Sequence, residues 1–496
     1  MFIEPRTNIC LLRDVPFDNR YIHTMYFSDE TEQHNYFTQK IKHRLLNQSY
    51  QRVGKGVARV QVKAEELYDC NYMMFQNESF GSKWFYAFIT GVDYVNNIVS
   101  EIKFEIDVIQ TWRLDCRFQE CFIEREHVND DTPGKHTIPE NLETGEYVCD
   151  TFKGTNLMSD MCCVVASTFD YLNGYSDATG YDYCGIYSGL KYNRFRDTAS
   201  LAAFLSKPET IQKSEGIVSI FMMPDKFAGS AGGQAITHRL EFDKFKADYG
   251  FTPNNNKLYT YPYCFLYVTN MEGDSAVYHY EDFSTDVCAF NIGGDYSCSP
   301  SVVVYPLFYK GTTSNFDEKL VMTGFPQCAY NIDTFKAWLS QQGPSALING
   351  AVSTVTAGAL NPVLGGMSLV HNIGSIVSQS VAHAIQPPQS RGGASSNALV
   401  ALKHKDFGFM NKHIKTEYAR IIDEYFDMYG YATHRIGKPN IKGRPLWNYV
   451  KTVGCTMIGG APADDISKMC KIHDNGITYW KVGTTPGNYV GDNKPQ

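Results

Sequence analysis

The sequence predicts a mainly β protein with a smaller helical part, an α+β chain. Aromatic residues make up 14% of its 496 residues, with 33 Tyr and 30 Phe, and such side chains pack well on pleated sheets. Residues 83–112 alternate apolar and polar positions over two long runs separated by Val95–Ile98. That pattern is typical of a β-hairpin. A hydrophobic content of 43% is ample for a buried core.

In the middle of the chain the predicted secondary structure changes from strands to mixed strands and helix, and then returns to strands. Residues 120–128 predict a third strand beside the hairpin. A buried strand over 161–167, a helix over Asp197–Ser214 and a strand over 216–224 then indicate a small α/β insertion. From residue 254 onwards, three further runs predict strands: 254–270, 275–283 and 300–311.

The last third predicts helices and strands in alternation. A short helix covers Asp333–Gln342. An amphipathic helix covers Lys412–Tyr429 and ends at Gly430. Strands over 445–459 and 477–482 enclose a final helix that begins near residue 461. The amphipathic helix has one predicted apolar face: Ile414, Tyr418, Ile421, Ile422, Tyr425 and Met428.

One segment differs from all others in charge. Between Lys336 and Lys403 lie 66 residues with a single charged residue, Arg391, where the chain average of 20% predicts about 13. The stretch, hereafter the uncharged segment, is rich in Gly, Ala, Ser, Val, Leu and Ile. It is too long and apolar for an ordinary surface loop, and too broken by Gly, Asn, Ser and Pro for a standard transmembrane helix. A low-complexity linker is the other reading, although linkers are usually polar and charged.

Composition and motifs exclude several functions. The net charge of −8 argues against a nucleic-acid-binding surface, although an acidic wall suits a channel to which DNA must not adhere. The 14 cysteines lack metal-binding spacing and are expected to be free, buried thiols of a protein made in a reducing cytoplasm. The N-terminus carries no signal-peptide pattern.

No motif predicts an active site, a metal site or a cofactor. Glu124 and Glu126 share one face of a strand and His127 the other, so we expect a solvated or lumen-facing strand edge. Asp464 and Asp465 fit a helix N-terminus. His473 and Asp474 fit a turn before Asn475 and Gly476. One aromatic cluster suggests a sugar platform but is more typical of a core: Trp84, Phe85, Tyr86 and Phe88.

Blocks along nearly the whole chain resemble one protein family. The sequence is similar to the tail knob proteins of small Picovirinae-type short-tailed phages that infect Gram-positive bacteria. The region from about 156 to 250 matches less clearly. The blocks that carry the resemblance are Asp14–Tyr21, Tyr72–Phe88, Phe104–Val128, Asn256–Asn270, Tyr309–Leu339 and Arg444–Lys481.

The resemblance implies a structural virion protein at the distal tip of the tail. It implies a homo-hexameric tube of β-barrel or β-sandwich domains whose lumen passes double-stranded DNA without binding it specifically. It also implies that the hydrophobic loops close the channel and, when triggered, insert into the host cytoplasmic membrane to form a pore. Other tail proteins are the implied partners, namely a lower collar or connector and a distal tip or wall-degrading protein.

The family's loop corresponds to the uncharged segment, which follows the block ending at Leu339. Small residues between its apolar clusters would allow close helix packing in a membrane. Trp338 and Leu339 are the predicted anchor of the loop. The predicted membrane-active residues are Leu347, Ile348, Val352, Val355, Leu360, Val363, Leu364, Leu369, Val370, Ile373, Ile376, Val377, Val381 and Ile385.

Five regions follow from these patterns and the resemblance. They are a first part of the β tube (1–155), an α/β insertion (156–255), a second part of the tube (256–340), the membrane-active loop (341–402) and a helix plus β part that completes the tube (403–496). Two alternatives stay open. A cell-wall hydrolase requires a catalytic constellation, and a receptor-binding tail protein typically shows repeats.

Overall fold

The computed structural model describes residues 6–49, 56–77, 81, 83–157, 160–168, 182–183, 186–187, 191–196, 198–205, 207–213, 216–227, 237–295, 301–325, 327–329 and 406–495. The chain divides into two compact units. Unit 1 comprises Met1–Glu146, Asp248–Tyr263 and Ile414–Gln496, and unit 2 comprises Tyr147–Ala247 and Cys264–His413.

Strands account for most of the regular structure, as the sequence predicts. The first nine are β1 (Arg6–Arg13), β2 (His23–Tyr26), β3 (Ile41–Ser49), β4 (Val57–Val60), β5 (Cys70–Asn77), β6 (Trp84–Asn96), β7 (Val99–Ile106), β8 (Cys116–Phe118) and β9 (Cys121–Glu126). The next fifteen are β10 (Tyr147–Gly154), β11 (Met161–Ser167), β12 (Asp182–Tyr183), β13 (Ile186–Tyr187), β14 (Lys191–Phe195), β15 (Ile217–Pro224), β16 (Thr237–Asp243), β17 (Cys264–Thr269), β18 (Ser275–Tyr278), β19 (Val287–Asp295), β20 (Ser301–Tyr309), β21 (Thr312–Ser314), β22 (Leu320–Met322), β23 (Gln327–Ala329) and β24 (Gly408–Ile414). The last four are β25 (Tyr431–Gly437), β26 (Trp447–Val453), β27 (Met457–Gly459) and β28 (Ile477–Lys481).

The helices of the described residues are short. The α-helices are α1 (Glu30–Thr38), α2 (Val108–Trp112), α3 (Thr198–Leu205), α4 (Pro208–Gln212), α5 (Thr416–Tyr429) and α6 (Ala463–Asn475). Single 3-10 turns cover Ala64–Glu66, Arg113–Asp115, Asp225–Phe227, Asn256–Tyr259, Tyr280–Asp282 and Phe316–Glu318. None of the helices in these ranges has the length and hydropathy needed to cross a bilayer.

Unit 1 is built on a six-stranded antiparallel sheet in the order β3-β1-β5-β6-β7-β4. Both of its faces are apolar, because successive residues of a strand point to opposite sides. Cys10 and Leu12 pack into one core cluster, whereas Ile9 and Leu11 pack into another. The sheet therefore supplies two hydrophobic layers.

The second sheet of unit 1 is five-stranded, in the order β2-β28-β26-β9-β25, and only β2 and β28 run parallel in it. Trp447 and Trp480 are cross-strand partners with ring centres 5.2 Å apart. Both rings are fully buried, and they share a core cluster with Phe37 and Tyr72. Large aromatic side chains thus fill the main core of unit 1.

Unit 2 contains three larger sheets and one pair of two-residue strands. The sheets have the orders β10-β24-β17-β18, β14-β11-β15-β23 and β16-β19-β20-β21, with β22 pairing β20 as well. The predicted strand over 161–167 matches β11, which is almost entirely buried. The predicted limits of the 156–255 insertion stay a prediction.

The predicted hairpin is confirmed as β6 and β7. Asn96 shapes its turn by accepting hydrogen bonds from the N–H groups of Ile98 and Val99. The predicted second run is too long, because β7 ends at Ile106 and helix α2 follows. Asp107 begins this helix by accepting the N–H of Gln110 at 3.1 Å, as an N-cap does.

The strand predicted over 120–128 exists as β9, but its predicted neighbour is wrong. β9 pairs with β25 and β26, more than 300 residues further along the chain, and not with the hairpin. A sequence pattern identifies a strand, whereas its partner depends on long-range packing. The helix predicted over Asp197–Ser214 is two helices, α3 and α4, because Pro208 opens a new helix at its first position.

The long amphipathic helix begins later than predicted, and its buried face is shifted around the helix from the predicted one, with Ile422 common to both. Residues 408–414 form β24 instead, and α5 starts at Thr416. Its buried residues are Ala419, Ile422, Asp423 and Phe426, and the predicted core residue Ile421 is 64% exposed. Gly430 ends the helix as predicted, with φ of 64°, a conformation that glycine adopts without strain.

Candidate functional site

The predicted functional residues lie in the part of the chain that the structure leaves undescribed, residues 330–405. This applies to the predicted helix Asp333–Gln342, to the anchors Trp338 and Leu339, and to every predicted membrane-active residue from Leu347 to Ile385. Both ends of this stretch are described, and both belong to unit 2.

The chain enters the stretch from β23, the last described strand before it. β23 is an outer strand of its four-stranded sheet and pairs with β15 through three residue pairs, from Phe221 with Gln327 to Ser219 with Ala329. Just before β23, Phe325 is buried. A short antiparallel ladder at a sheet edge therefore holds this end.

The first described residue after the stretch is Asp406, whose carboxylate accepts hydrogen bonds from main-chain N–H groups. Oδ1 accepts the N–H groups of Thr155 at 3.1 Å and of Phe407 at 2.9 Å, and Oδ2 accepts the N–H of Asn156 at 3.0 Å. The hydroxyl of Thr155 also donates to Oδ1. Hydrogen bonds to an ionised acceptor are among the stronger ones in proteins, so Asp406 ties the return point to the end of β10.

Side-chain packing reinforces this return point. Phe407 is fully buried. At Gly408 an added Cβ would lie 2.7 Å from Met271 Cε and 2.7 Å from a ring carbon of Phe152, closer than carbon atoms approach in folded proteins. Glycine at this position therefore allows β24 to run close beneath two apolar side chains.

Strand β24 then continues into the interior of a sheet. It pairs with β17 along Cys264–Thr269 and has β10 on its other side. Close by, Lys226 Nζ donates to the carbonyl of Thr155 at 3.0 Å. Partial burial lowers the pKa of Lys226, and the charge of Asp406 partly opposes that shift. The C-terminal end of the stretch is thus held by an interior strand and a polar cluster.

The Glu-Arg-Glu-His motif of β9 is structural, and its predicted solvated setting is wrong for two residues. Glu126 and His127 are buried. Glu126 pairs with Arg435 at 2.6 Å, whereas Glu124 pairs with Lys451 at 2.7 Å. The motif thus holds β9 against β25 and β26.

His127 joins three elements through a defined neutral ring. Its Nδ1 accepts the N–H of Tyr449 at 2.7 Å, so Nε2 carries the proton and donates to the carbonyl of Asp427 at 3.0 Å. Burial lowers the pKa of His127 to about 3. The ring therefore stays neutral at physiological pH.

The acidic residues of α6 have the predicted helix-start position, and the turn residues do not. Asp464 and Asp465 lie in the first turn, and Asp465 also accepts the indole N–H of Trp112 at 2.9 Å. His473 and Asp474 lie in the last turn of α6 rather than beyond it. His473 is fully buried between Met469 and Tyr479, and burial lowers its pKa to about 4.

Sequence reasoning missed a buried polar cluster in unit 1. Asp423 of α5 accepts the N–H groups of Asn254 at 2.9 Å and Asn255 at 3.0 Å. Asp427, one turn later, accepts both amide side chains at 2.9 Å. Burial raises the pKa of Asp423 to about 6. The run of three asparagines after Pro253 was the available signal, because such runs favour side-chain to backbone bonding.

The thiols and metal-ligand candidates give no sign of chemistry in the described ranges. The cysteines in those ranges are free, and most are buried, as predicted. Burial raises the pKa of Cys163 and of Cys264 to about 12, which keeps them as unreactive thiols. Within the same ranges, no cluster of three or more His, Cys, Asp or Glu residues is suited to a metal ion.

Comparison with known proteins defines the family. Residues 231–494 match the family described as Bacillus phage phi29 tail knob protein gp9, C-terminal domain, and residues 5–117 match the caudoviral major tail protein N-terminus. The tail knob protein gp9 of Bacillus phage phi29 is 28% identical over 98% of both chains, and that of Bacillus phage B103 is 25% identical over the same shares.

A solved structure agrees in fold. The tail knob protein gp12 of bacteriophage C1 covers 96% of each chain with a TM-score of 0.61 at 15% identity. At that identity the likeness concerns the fold alone.

These matches define the class of protein as a structural component of a phage tail, not an enzyme. The chain belongs to the phi29 gp9 tail knob family, whose match spans more than half of its length. It is therefore a virion protein of the tail of a podophage, where it associates with other tail proteins.

Proposed function

We propose that six copies of this chain form the tube at the distal tip of the tail, that the tube conducts the phage DNA, and that the uncharged segment is its membrane-active loop. In this proposal, the loops close the channel before infection. After a trigger they insert into the host cytoplasmic membrane and open a pore. The observation that carries the proposal is a 66-residue stretch with one charged residue, inserted between two strands of a tail knob fold.

The composition of the segment supports membrane insertion. A charged residue near the centre of a bilayer costs about 2.5–3.5 kcal/mol on insertion scales, and the predicted membrane-active residues from Leu347 to Ile385 span a region without any. Small residues such as Gly358, Gly365 and Gly366 separate the apolar clusters and permit close approach of helices.

The described ends of the segment support a loop that leaves and returns. Both ends continue into paired strands, β23 before the segment and β24 after it. A segment held at both ends extends as a hairpin-like excursion. When it is not in lipid, its apolar surface must be buried against other apolar surface. Several copies that meet inside a channel bury one another's apolar surface.

An exposed apolar row in unit 1 supports assembly of several copies. Ile436 of β25 faces Phe122 of β9, which in turn faces Val453 of β26. All three side chains are exposed, although direct cross-strand partners share one face of a sheet. β25 is one of the two outer strands of that sheet among the described residues. Exposed apolar rows of this kind mark protein contacts. A contact between two different patches gives a ring when the rotation between neighbouring copies closes.

The negative net charge of the chain supports a channel through which DNA passes without binding to the wall. The chain has a net charge of −8, and like charge keeps phosphates from adhering to a wall.

The test uses full-length protein and dye-loaded liposomes. We expect wild type to release the dye under at least one lipid composition and pH. The double variant Leu364→Lys/Val370→Lys should release it at least tenfold more slowly, since each added charge raises the insertion cost by about 2.5–3.5 kcal/mol. The matched control is Val490→Lys, which adds a charge at a side chain that is 85% exposed and should behave as wild type.

Negative-stain microscopy of the same samples tests the assembly. Wild type and both variants should show six-fold rings. Equal dye release by wild type and the double variant would refute the membrane role and leave the tube intact. Rings of another symmetry would refute the hexamer.

A further inference from the structure

A cleft in unit 1 has no part in the function proposed above. It has a volume of about 770 Å³, within the range of roughly 300–1,000 Å³ typical of ligand pockets. Residues of strands β5, β6 and β7, of helix α2 and of the first half of α6 line it. We call it the aromatic cleft.

Four aromatic rings follow one another along the wall of the aromatic cleft. Phe75 and Phe85 are cross-strand partners whose rings stack at 5.3 Å with an angle of 15°. Phe104 lies 5.9 Å from Phe75, and Trp112 lies 5.7 Å from Phe85. The rings of Phe75, Phe85 and Trp112 are only half-buried, so the row offers apolar surface to the cleft.

Strand alternation explains why the sequence alone did not distinguish the aromatic residues of the cleft from those of the core. Tyr86 and Phe88 point to the opposite face of β6 and are buried in the main core, as expected for a core cluster. Phe85 points to the cleft, because neighbouring residues of a strand face opposite sides. One apolar run thus serves a core and an open surface at once.

The lining of the aromatic cleft also carries three carboxylates. Glu105 accepts hydrogen bonds from Lys468 and, at 3.0 Å, from Asn19. Asp465 Oδ2 accepts the indole N–H of Trp112 at 2.9 Å, which leaves its other oxygen able to accept. Asp464 is exposed and has no hydrogen-bond or ion-pair partner among the described residues.

The charges of the lining disfavour anionic ligands. Three carboxylates against Lys468 leave a negative balance, which repels anions such as phosphates. The face of the Trp112 ring already has a cation beside it, because Lys83 Nζ lies 4.7 Å from the ring centre. The cleft therefore offers a ligand flat aromatic surface next to carboxylate oxygens that accept hydrogen bonds.

We propose that the aromatic cleft binds a neutral saccharide. One face of a sugar ring consists of C–H groups, which pack on Phe75 and Phe85 as apolar surface does. The hydroxyl groups at the rim donate to Asp464 and to the open oxygen of Asp465. Hydrogen bonds to a charged acceptor are the stronger kind, and the aromatic wall orients the ring so that several form together.

Calorimetry with full-length protein tests this site. The probes are chitotriose, cellotriose, maltotriose and galactobiose. We expect at least one of them to bind saturably, and we expect Phe85→Ala to weaken that binding about tenfold or more, the equivalent of one lost contact of about 1.4 kcal/mol. Asp464→Asn should weaken it about three- to tenfold, as the loss of a charged acceptor does.

Controls keep the outcome decisive. Tyr68→Ala removes an exposed ring that does not line the cleft and should leave the affinity unchanged. Asp464→Asn alters a partner-free surface residue, so it folds even where Phe85→Ala does not. Absence of binding by all four sugars up to about 10 mM, a free energy weaker than about −3 kcal/mol, would overturn the proposal. Unaltered sugar binding by both cleft variants would overturn it too. Liposome release does not depend on this site.

Discussion

Unit 1 and unit 2 both use side chains to tie distant parts of the chain to main-chain groups, but in different surroundings. In unit 1 the linking side chain is buried: His127 joins Tyr449 to Asp427 through its two ring nitrogens. In unit 2 a single partly exposed carboxylate, Asp406, accepts three main-chain N–H groups at the end of the uncharged segment.

The difference separates two kinds of sensitivity. A buried tie that depends on a neutral ring is sensitive to acid, because protonation places an uncompensated charge in the core. A tie that depends on one carboxylate is sensitive to a single substitution. We infer that unit 1 gives a permanent framework, and that unit 2 fixes the return of the segment more firmly than its departure.

The largest expected effect is that of acid on unit 1. Burial holds the pKa of His127 near 3, below its usual 6.5. The stability that comes from a neutral His127 is therefore complete above pH 6.5 and is lost as the pH falls towards 3. At pH 4 the loss amounts to roughly 3 kcal/mol. Denaturant unfolding from pH 7.5 to 4 measures it.

Two buried carboxyls act in the opposite sense, so a matched variant isolates His127. Burial raises the pKa of Asp107 and of Asp423 to about 6, and their contribution is complete below pH 3.8 and is lost as the pH rises through 6. His127→Gln should be about 1–3 kcal/mol less stable than wild type at pH 7.5 and should lose that disadvantage by pH 4. The exposed His434→Gln is the control. A constant difference between His127→Gln and wild type at every pH would contradict the argument.

The next largest effect is expected at the return point in unit 2. Asp406→Ala removes the acceptor of three main-chain N–H groups and should destabilise the protein by about 2–3 kcal/mol, because such donors are then left unpaired. Asp317→Ala, an exposed carboxylate of the same unit, should stay within about 0.5 kcal/mol of wild type. Thermal unfolding of full-length protein compares them. Equal stability of the two variants would show that Asp406 does not anchor the return point of the segment.

A steric test at the same place should give a smaller effect. Gly408→Ala brings a Cβ to 2.7 Å from Met271 and Phe152 and should cost about 1–3 kcal/mol, as overpacking does. Gly460→Ala meets nothing within 4 Å and should be neutral. Should Gly408→Ala prove neutral as well, the two side chains move aside freely and the close packing is not a constraint.

The two ends of the segment should differ in hydrogen exchange, the mildest of the four effects. Amides of β24 lie in the interior of a sheet, whereas β23 has three pairs on an outer strand. We expect exchange at residues 327–329 to be at least tenfold faster than at 409–413, the equivalent of about 1.4 kcal/mol in opening free energy. Equal protection would mean that both ends are held alike.

Local patterns predicted local structure well. The β6–β7 hairpin followed from alternation, and the end of α5 followed from Gly430. The buried face of α5 did not follow, because Asp423 is buried as the acceptor of two main-chain N–H groups, and no hydropathy pattern marks a buried carboxylate.

The sequence did not predict which distant residues pair with each other, because no local pattern marks a long-range partner. Nothing in residues 120–128 indicates that β9 pairs with β25 and β26, and nothing near Asp406 points to Thr155. The functional prediction came from the resemblance to the tail knob family. Composition only singled out the uncharged segment, because absence of charge is visible residue by residue. The predicted membrane role of Leu347 to Ile385 stays a prediction.

The most direct test of the central claim maps where the protein touches lipid. Full-length protein is incubated with liposomes that contain a photoactivatable diazirine lipid, illuminated and digested, and the modified peptides are identified by mass spectrometry. We predict modification within residues 345–402 and none within 6–49 or 414–495. Dye release accompanied by modification only outside 345–402 would contradict the assignment of the uncharged segment as the membrane-active part of this tail knob.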